Sequence, residues 1–282
     1  MVIANPMYDV VFKKMMENER VAKFFIGTLL DQTIETIEVK PQEFIYSDEL
    51  AGLAVFRLDF IATIKPLNGE IKKVLIEIQK AKNKLDLMRF RNYLAEQYKK
   101  EDIVNDEKVV LPITTIYILG FKLPEIITPC IKVERNYKDL INKTTIDTKS
   151  EFLEKLTHDS YVVQVERITD RYQTKLDKLL SVFEQTNFVD DTKIIKEFNH
   201  STDIEEVQIM TDILHYSGTE PKERKKIEDE KEAWRTFDAL SGKADFEQKE
   251  RKLMKALNEK DQALNELKKE IEELRKRFEE KK

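Results

Sequence analysis

The sequence predicts a globular domain of the α+β or α/β class, followed by a separate, highly charged helix. Three observations carry that expectation. Segments with helical periodicity and segments with strand periodicity are interspersed along the chain before Pro221. Hydrophobic residues make up 41% of the 282, enough for a sizeable core, while only six glycines and seven prolines interrupt it. Beyond Pro221 the composition turns almost wholly to charge and helix formers.

Element by element, apolar residues recur at three- and four-residue steps from Tyr8 to Leu30, among them Val11, Phe12, Met15, Val21, Phe25 and Leu29, and predict one helix. The stretch TIETIEVKPQEFIYS reads as short extended pieces, with Pro41 barring a central strand position. Val55–Ile64 and Ile71–Lys80 alternate as strands about a Pro-Leu-Asn-Gly turn, and Asn68-Gly69 is a strong hairpin signal. Lys84 to Lys100 is helical in pattern. LPITTIYILGFKL and YVVQVERI read as buried strands from their β-branched content. Ser150 to His158, Arg171 to Gln185 and Asp203 to Tyr216 read as helices. Domain bounds follow at 1–190 for the core, 191–240 for a helical region packing on it or leading from it, and 241–282 for the tail.

In the tail, Leu257, Leu264, Ile271 and Phe278 fall on one heptad position and Leu253, Leu267 and Leu274 on another, with Lys260 interrupting the second series. Such a seam predicts a coiled coil, and with it self-association into a homo-oligomer, because an isolated charged helix is marginal in water. A helix docking on its own domain is the alternative.

The chemistry lies in the hairpin. Side chains alternate along a strand, so Asp59 shares a face with Arg57 and Ile61, and Glu77 with Leu75 and Gln79. Folding about the turn sets Asp59 opposite Glu77. Two readings fit three polar groups on one patch. One is the polar outer face of an ordinary antiparallel hairpin. The other is a divalent-cation site, since a buried carboxylate must be paired or bind a metal. In that second reading Asp59, Glu77 and the main-chain carbonyl of Ile78 are oxygen ligands of Mg²⁺, with Mn²⁺ as a substitute, and Gln79 orients water or touches a phosphate.

RLDFIA followed by a turn and VLIEIQKA resembles the D-x(n)-ExQ pattern of the PD-(D/E)XK nuclease family transposases, the recombination-promoting nucleases. YDVVFKKMM looks like that family's first helix. RFRNYLAEQY looks like its Arg-x3-Tyr-x4-Tyr helix, with Arg89, Tyr93 and Tyr98 on the pattern. TTIYILGFKL and YVVQVERI look like its later strands. The resemblance implies a restriction-endonuclease-like mixed sheet flanked by helices and Mg²⁺-dependent DNA cleavage, with Asp59 and Glu77 as metal ligands. Gln79 stands where the wider superfamily has Lys, and Leu58 where a Pro often precedes the first Asp. Lys80 belongs to the opposite strand face.

The helix after the second strand, residues 80–100, holds seven basic residues against two acidic ones. Arg89, Tyr93 and Gln97 recur every four residues and share a face. Beside the hairpin, Arg89 can grip a phosphate and Gln97 can complete the outer shell of the metal. Asp9 and Lys13, one turn apart, read as a surface pair, and Glu17 as helix surface. His158, His200 and His215 are too scattered for a zinc site, and Cys130 has no activating base in sequence.

A net charge of −5 gives no global nucleic-acid footprint, though it leaves room for a local one. One cysteine, no membrane-span-length apolar run and no leader pattern suit a cytoplasmic protein. The expected function is a Mg²⁺-dependent DNA endonuclease. The rival is a catalytically degraded nuclease fold acting as a coiled-coil assembly or binding protein, favoured by the missing Lys and the acidic balance.

Overall fold

The computed structural model describes residues 1–48, 53–80, 84–169, 171–236 and 239, without the side chains of 40–48, 53–59, 84–86 and 89. The heptad segment therefore lies outside the described residues. The chain divides into two compact units, residues 1–45 with 56–231, and residues 46–55 with 232–282. The side-chain contacts below belong to the first.

Its centre is a mixed six-stranded sheet flanked by helices, an α+β fold. The strands are β2 (Ile34–Asp48), β3 (Leu53–Pro66), β4 (Lys72–Gln79), β7 (Ile113–Leu119), β11 (His158–Gln164) and β8 (Cys130–Val133), in the order β2-β3-β4-β7-β11-β8. β4, β7 and β11 run parallel, and β3 and β8 are antiparallel to their neighbours β4 and β11. Pro41 falls inside β2, where one continuous strand replaces the expected short pieces. β2 is the sheet edge, and an edge strand tolerates the missing N–H.

Alternation gives the sheet two buried faces. Phe60, Ala62, Ile64, Val74, Ile76, Ile78, Ile116, Ile118 and Val163 pack against α1 (Asp9–Met16), α2 (Glu19–Leu30), α5 (Lys175–Ser181) and α6 (Glu205–Thr219). Phe12 anchors this layer, its ring 5.0 Å from Phe60 and 5.5 Å from Phe25 in edge-on packing. Ile61, Leu75 and Ile113 pack on the other side, against Phe90 and Tyr93 of α3 (Lys84–Lys99).

The single helix expected over Tyr8–Leu30 is two. Asn18 leaves the helix with φ −83° and ψ 111°, and its side chain accepts the Val21 amide at 3.1 Å, so α2 starts there with a cap of its own. The apolar steps continue across the break and conceal it. α5 is shorter than the expected helix because Thr174 and Asp177 form a capping box that fixes its start. α4 (Glu151–Leu156) likewise stops early, and His158 opens β11.

The Pro66–Gly69 turn closes with a Gly69 N–H donating to Pro66 C=O at 3.3 Å, so the hairpin loop is wider than a two-residue Asn-Gly connection. A two-residue loop does occur elsewhere. Asn105 (φ 51°) and Asp106 (φ 64°) join β5 (Asp102–Val104) to β6 (Glu107–Val109). Three-residue strands β1 (Val2–Ala4) and β12 (Ile195–Glu197) pair with each other, as do the short β9 (Tyr137–Lys138) and β10 (Thr145–Ile146), α6 packs on β1, and a helix over 221–236, here α7, follows. Residues 191–231 thus share a unit with the sheet. Among the described residues no helix is long and apolar enough to cross a membrane.

Candidate active site on strand β4

β4 reads KKVLIEIQ and is buried along nearly its whole length. Its main-chain pattern decides what each residue faces. Lys73 N–H donates to Pro112 C=O at 2.9 Å, and Gly120 N–H donates to Gln79 C=O at 2.8 Å. Residues 73 and 79 thus exchange main-chain bonds toward β7, and by alternation so do 75 and 77. Residues 74, 76 and 78 turn theirs toward β3. Register sets Phe60 opposite Ile76. One step further stand Asp59 in β3 and Glu77 in β4, at a position without mutual main-chain bonds, where paired strands approach to about 4.5 Å. The Ile78 carbonyl points toward β3. The side chain of Asp59 lies outside the described residues.

Glu77 is 2% exposed and Gln79 is 8% exposed, on the face covered by α3. A polar outer face is therefore not what this patch is. Burying a carboxylate is costly unless charge or hydrogen bonds compensate it. Glu77 stands in register with Tyr117 of β7. Burial, seconded by the charge of Glu77, pushes the Tyr117 phenol well above its ordinary value. The Tyr117 ring packs 4.5 Å from Phe90, at the inner face of α3. Tyr117 thus lies beside Glu77, and the sequence carried no signal for it, because alternation within one strand does not give the β4–β7 register.

α3 supplies the cover. Tyr93 and Gln97 are both buried against the sheet, as their four-residue spacing requires, whereas the side chain of Arg89 lies outside the described residues. Gln97 sits toward the start of β4. Its carbonyl accepts from Lys73 Nζ at 3.4 Å, four residues before Glu77, a strand distance of about 13 Å. Among the described residues the Gln97 Nε2 group is buried without a hydrogen-bond partner.

The same face carries charge that sequence reading missed. Lys73, fully covered, pairs with Asp102 at 2.8 Å. Further across, Thr115 Oγ1 donates to Ser160 Oγ at 2.8 Å, and the Tyr98 hydroxyl meets His158 Nδ1 at 2.8 Å. Burial, followed by the nearby Arg135, lowers the pKa of His158. The alternation of KKVLIEIQ was the available signal for Lys73, since 73, 75, 77 and 79 share one parity.

Lys80 takes the other face, as alternation demands, and pairs there with Glu230. Lys13 and Glu17 line a cleft of about 340 Å³ with Met16, Glu38 and Phe60, on the α1 side of the sheet and away from Glu77. Asp9, expected on the helix surface, is buried instead at 9% exposure. Burial pushes the Cys130 thiol up to about 11, which keeps it protonated at neutral pH.

Glu77 and Gln79 bring side-chain oxygens to this face, the kind of donor that a hard divalent cation takes. The Gln79 carbonyl is taken by Gly120, and the Ile78 carbonyl is directed at β3, into the strand ladder. Among the described residues, which do not include the Asp59 carboxylate, no three His, Cys, Asp or Glu side chains gather into a metal-sized group. No family model, no curated protein and no solved structure matches the chain.

Proposed function

We propose that the protein is a divalent-metal-dependent DNA endonuclease of the recombination-promoting type, hydrolysing phosphodiester bonds at the β3–β4 seam. The observation that carries this reading is a glutamate buried at 2% exposure in the middle of a sheet, one register step from an aspartate strand and followed on its face by Gln79. Asp59 and Glu77 would hold Mg²⁺ or Mn²⁺, with the Ile78 carbonyl beside them. When bound, such an ion supplies Lewis acidity to the phosphate and lowers the pKa of an attacking water. Gln79 orients that water by its amide. Tyr93 and Tyr117 wall the site and keep bulk solvent from Glu77. Arg89, on the same helix face as Tyr93, contacts the phosphate backbone, a sequence-independent and salt-sensitive interaction.

A second reading is favoured by one observation. Lys80, the basic residue nearest the ExQ run, is held on the opposite face by Glu230, and Lys73 is engaged by Asp102. A nuclease fold whose described lysines near the carboxylates are engaged elsewhere can persist as a binding or assembly protein that oligomerises through its tail.

Cleavage of supercoiled and linear duplex DNA in Mg²⁺ and Mn²⁺ separates the two. The wild type nicks or cuts, chelator abolishes it, and Asp59→Asn or Glu77→Gln lowers the rate by about a thousandfold while keeping a native circular dichroism spectrum. Equal cleavage by wild type and both variants refutes the assignment of Asp59 and Glu77, and cleavage by none of them favours the assembly role.

A further inference from the structure

Helix α1 has no cap of its own. Tyr8 holds its N-cap position and supplies no side-chain acceptor, although the first amides of a helix need partners. The partner comes from 221 residues away. Asp9 N–H donates to Glu230 Oε1 and Val10 N–H to Glu230 Oε2, both at 3.0 Å. The same carboxylate accepts from the ammonium of Lys80, which also stands 4.9 Å from the centre of the Tyr8 ring. Three elements therefore meet on one carboxylate: the start of α1, the end of β4 and α7.

α7 is firmly seated where it carries Glu230. Ile227 is buried in the main core, Lys14 pairs with Glu223 at 3.1 Å, and Lys231 Nζ donates to Thr192 C=O at 2.5 Å. On the other side of the β4 end, Gly120 holds the Gln79 carbonyl. A Cβ at Gly120 would come 2.8 Å from the Lys80 carbonyl oxygen, so the two backbones touch. The residue after Gln79 is thus gripped from both sides, by Gly120 through the main chain and by Glu230 through the side chain.

We infer that Glu230 is a positioning residue for the Glu77–Gln79 site, so that docking of α7 fixes the end of β4 on which the site's geometry depends. This rests on the reading of Glu77 and Gln79 as site residues. A helix cap taken from α7 in place of a local Ser or Asp makes the first turn of α1 and the end of β4 answer to the same contact. Anything that pulls α7 away loosens both.

Amide hydrogen exchange on the full chain tests the link without any need for activity. In Glu230→Ala, amides 77–80 exchange about tenfold faster or more, while those of the β7–β11 ladder keep their protection. Lys80→Met gives the same effect at 77–80 but leaves the Asp9 and Val10 amides protected, because Glu230 still caps α1. In the cleavage assay both variants lower kcat and leave KM unchanged. Unchanged exchange at 77–80 in both variants overturns the inference, and so does a uniform rise that includes β7 and β11. A wild type that shows no divalent-dependent cleavage, with exchange responding as described, overturns the nuclease reading and leaves the mechanical link standing.

Discussion

A single parity rule explains most of what individual residues do along β4. Positions 73, 75, 77 and 79 face α3, and 74, 76 and 78 face α1 and α2. That rule was readable in the sequence, and it put Glu77 and Gln79 together and Lys80 apart from them. It did not reveal that the Glu77 face is buried, because alternation says which residues share a face and nothing about what covers it. Nor did it single out Lys196, whose burial comes from contacts with a distant element. Lys196 Nζ donates to the Glu184 carbonyl at 2.5 Å and the Ser181 carbonyl at 3.4 Å. Burial lowers its pKa from 10.5 to about 7, partly opposed by the Glu184 charge. Between those values the unfolded chain holds a proton that the folded chain lacks, so this group makes stability rise with pH from about 7 toward 10.5 and leaves its full penalty below 7. Urea unfolding at pH 7 and pH 9 should show wild type gaining on Lys196→Met by about 2 kcal/mol, within the limit of about 1.4 kcal/mol per pH unit. A difference that stays flat would mean that the amine is charged in both states.

At the scale of elements, the long periodic ones were legible. β4, β7, α3 and α6 lie close to where their patterns place them, whereas β11 starts three residues before the expected YVVQVERI run, whose Val165–Arg167 form a 3-10 turn. The hairpin register also followed from the pattern, although the loop itself is wider than its Asn-Gly pair suggests. Elements held together by distant partners were not legible. β1 is three residues long and acquires its structure by pairing with β12, nearly the whole unit away in sequence. The break between α1 and α2 depends on one cap. Asn18→Ala should cost about 1 kcal/mol by removing the acceptor of the Val21 amide, measured by thermal or urea unfolding. Asn18→Asp should cost little, and a loss equal to that of Ala would show that the side chain caps nothing.

At the scale of the molecule, residues 1–45 and 56–231 form one unit that holds the candidate site, both sheet faces and the seated part of α7. The heptad seam between Leu253 and Phe278 lies beyond it and was legible only as a pattern that asks for a partner helix. A chain ending near Ser241 keeps every contact of the first unit. Light scattering should find it monomeric and calorimetry should find it folded, while the full chain is an oligomer. An unchanged oligomer after truncation would place self-association in the globular part. The proposed function requires that the β3–β4 seam bind a divalent cation. Calorimetric titration of Mn²⁺ into the wild type, Asp59→Asn and Glu77→Gln tests it without any knowledge of the target. The account predicts saturable Mn²⁺ binding to the wild type, lost in both variants while each remains folded. Binding that survives in both variants, or a wild type that takes up no Mn²⁺, would contradict it.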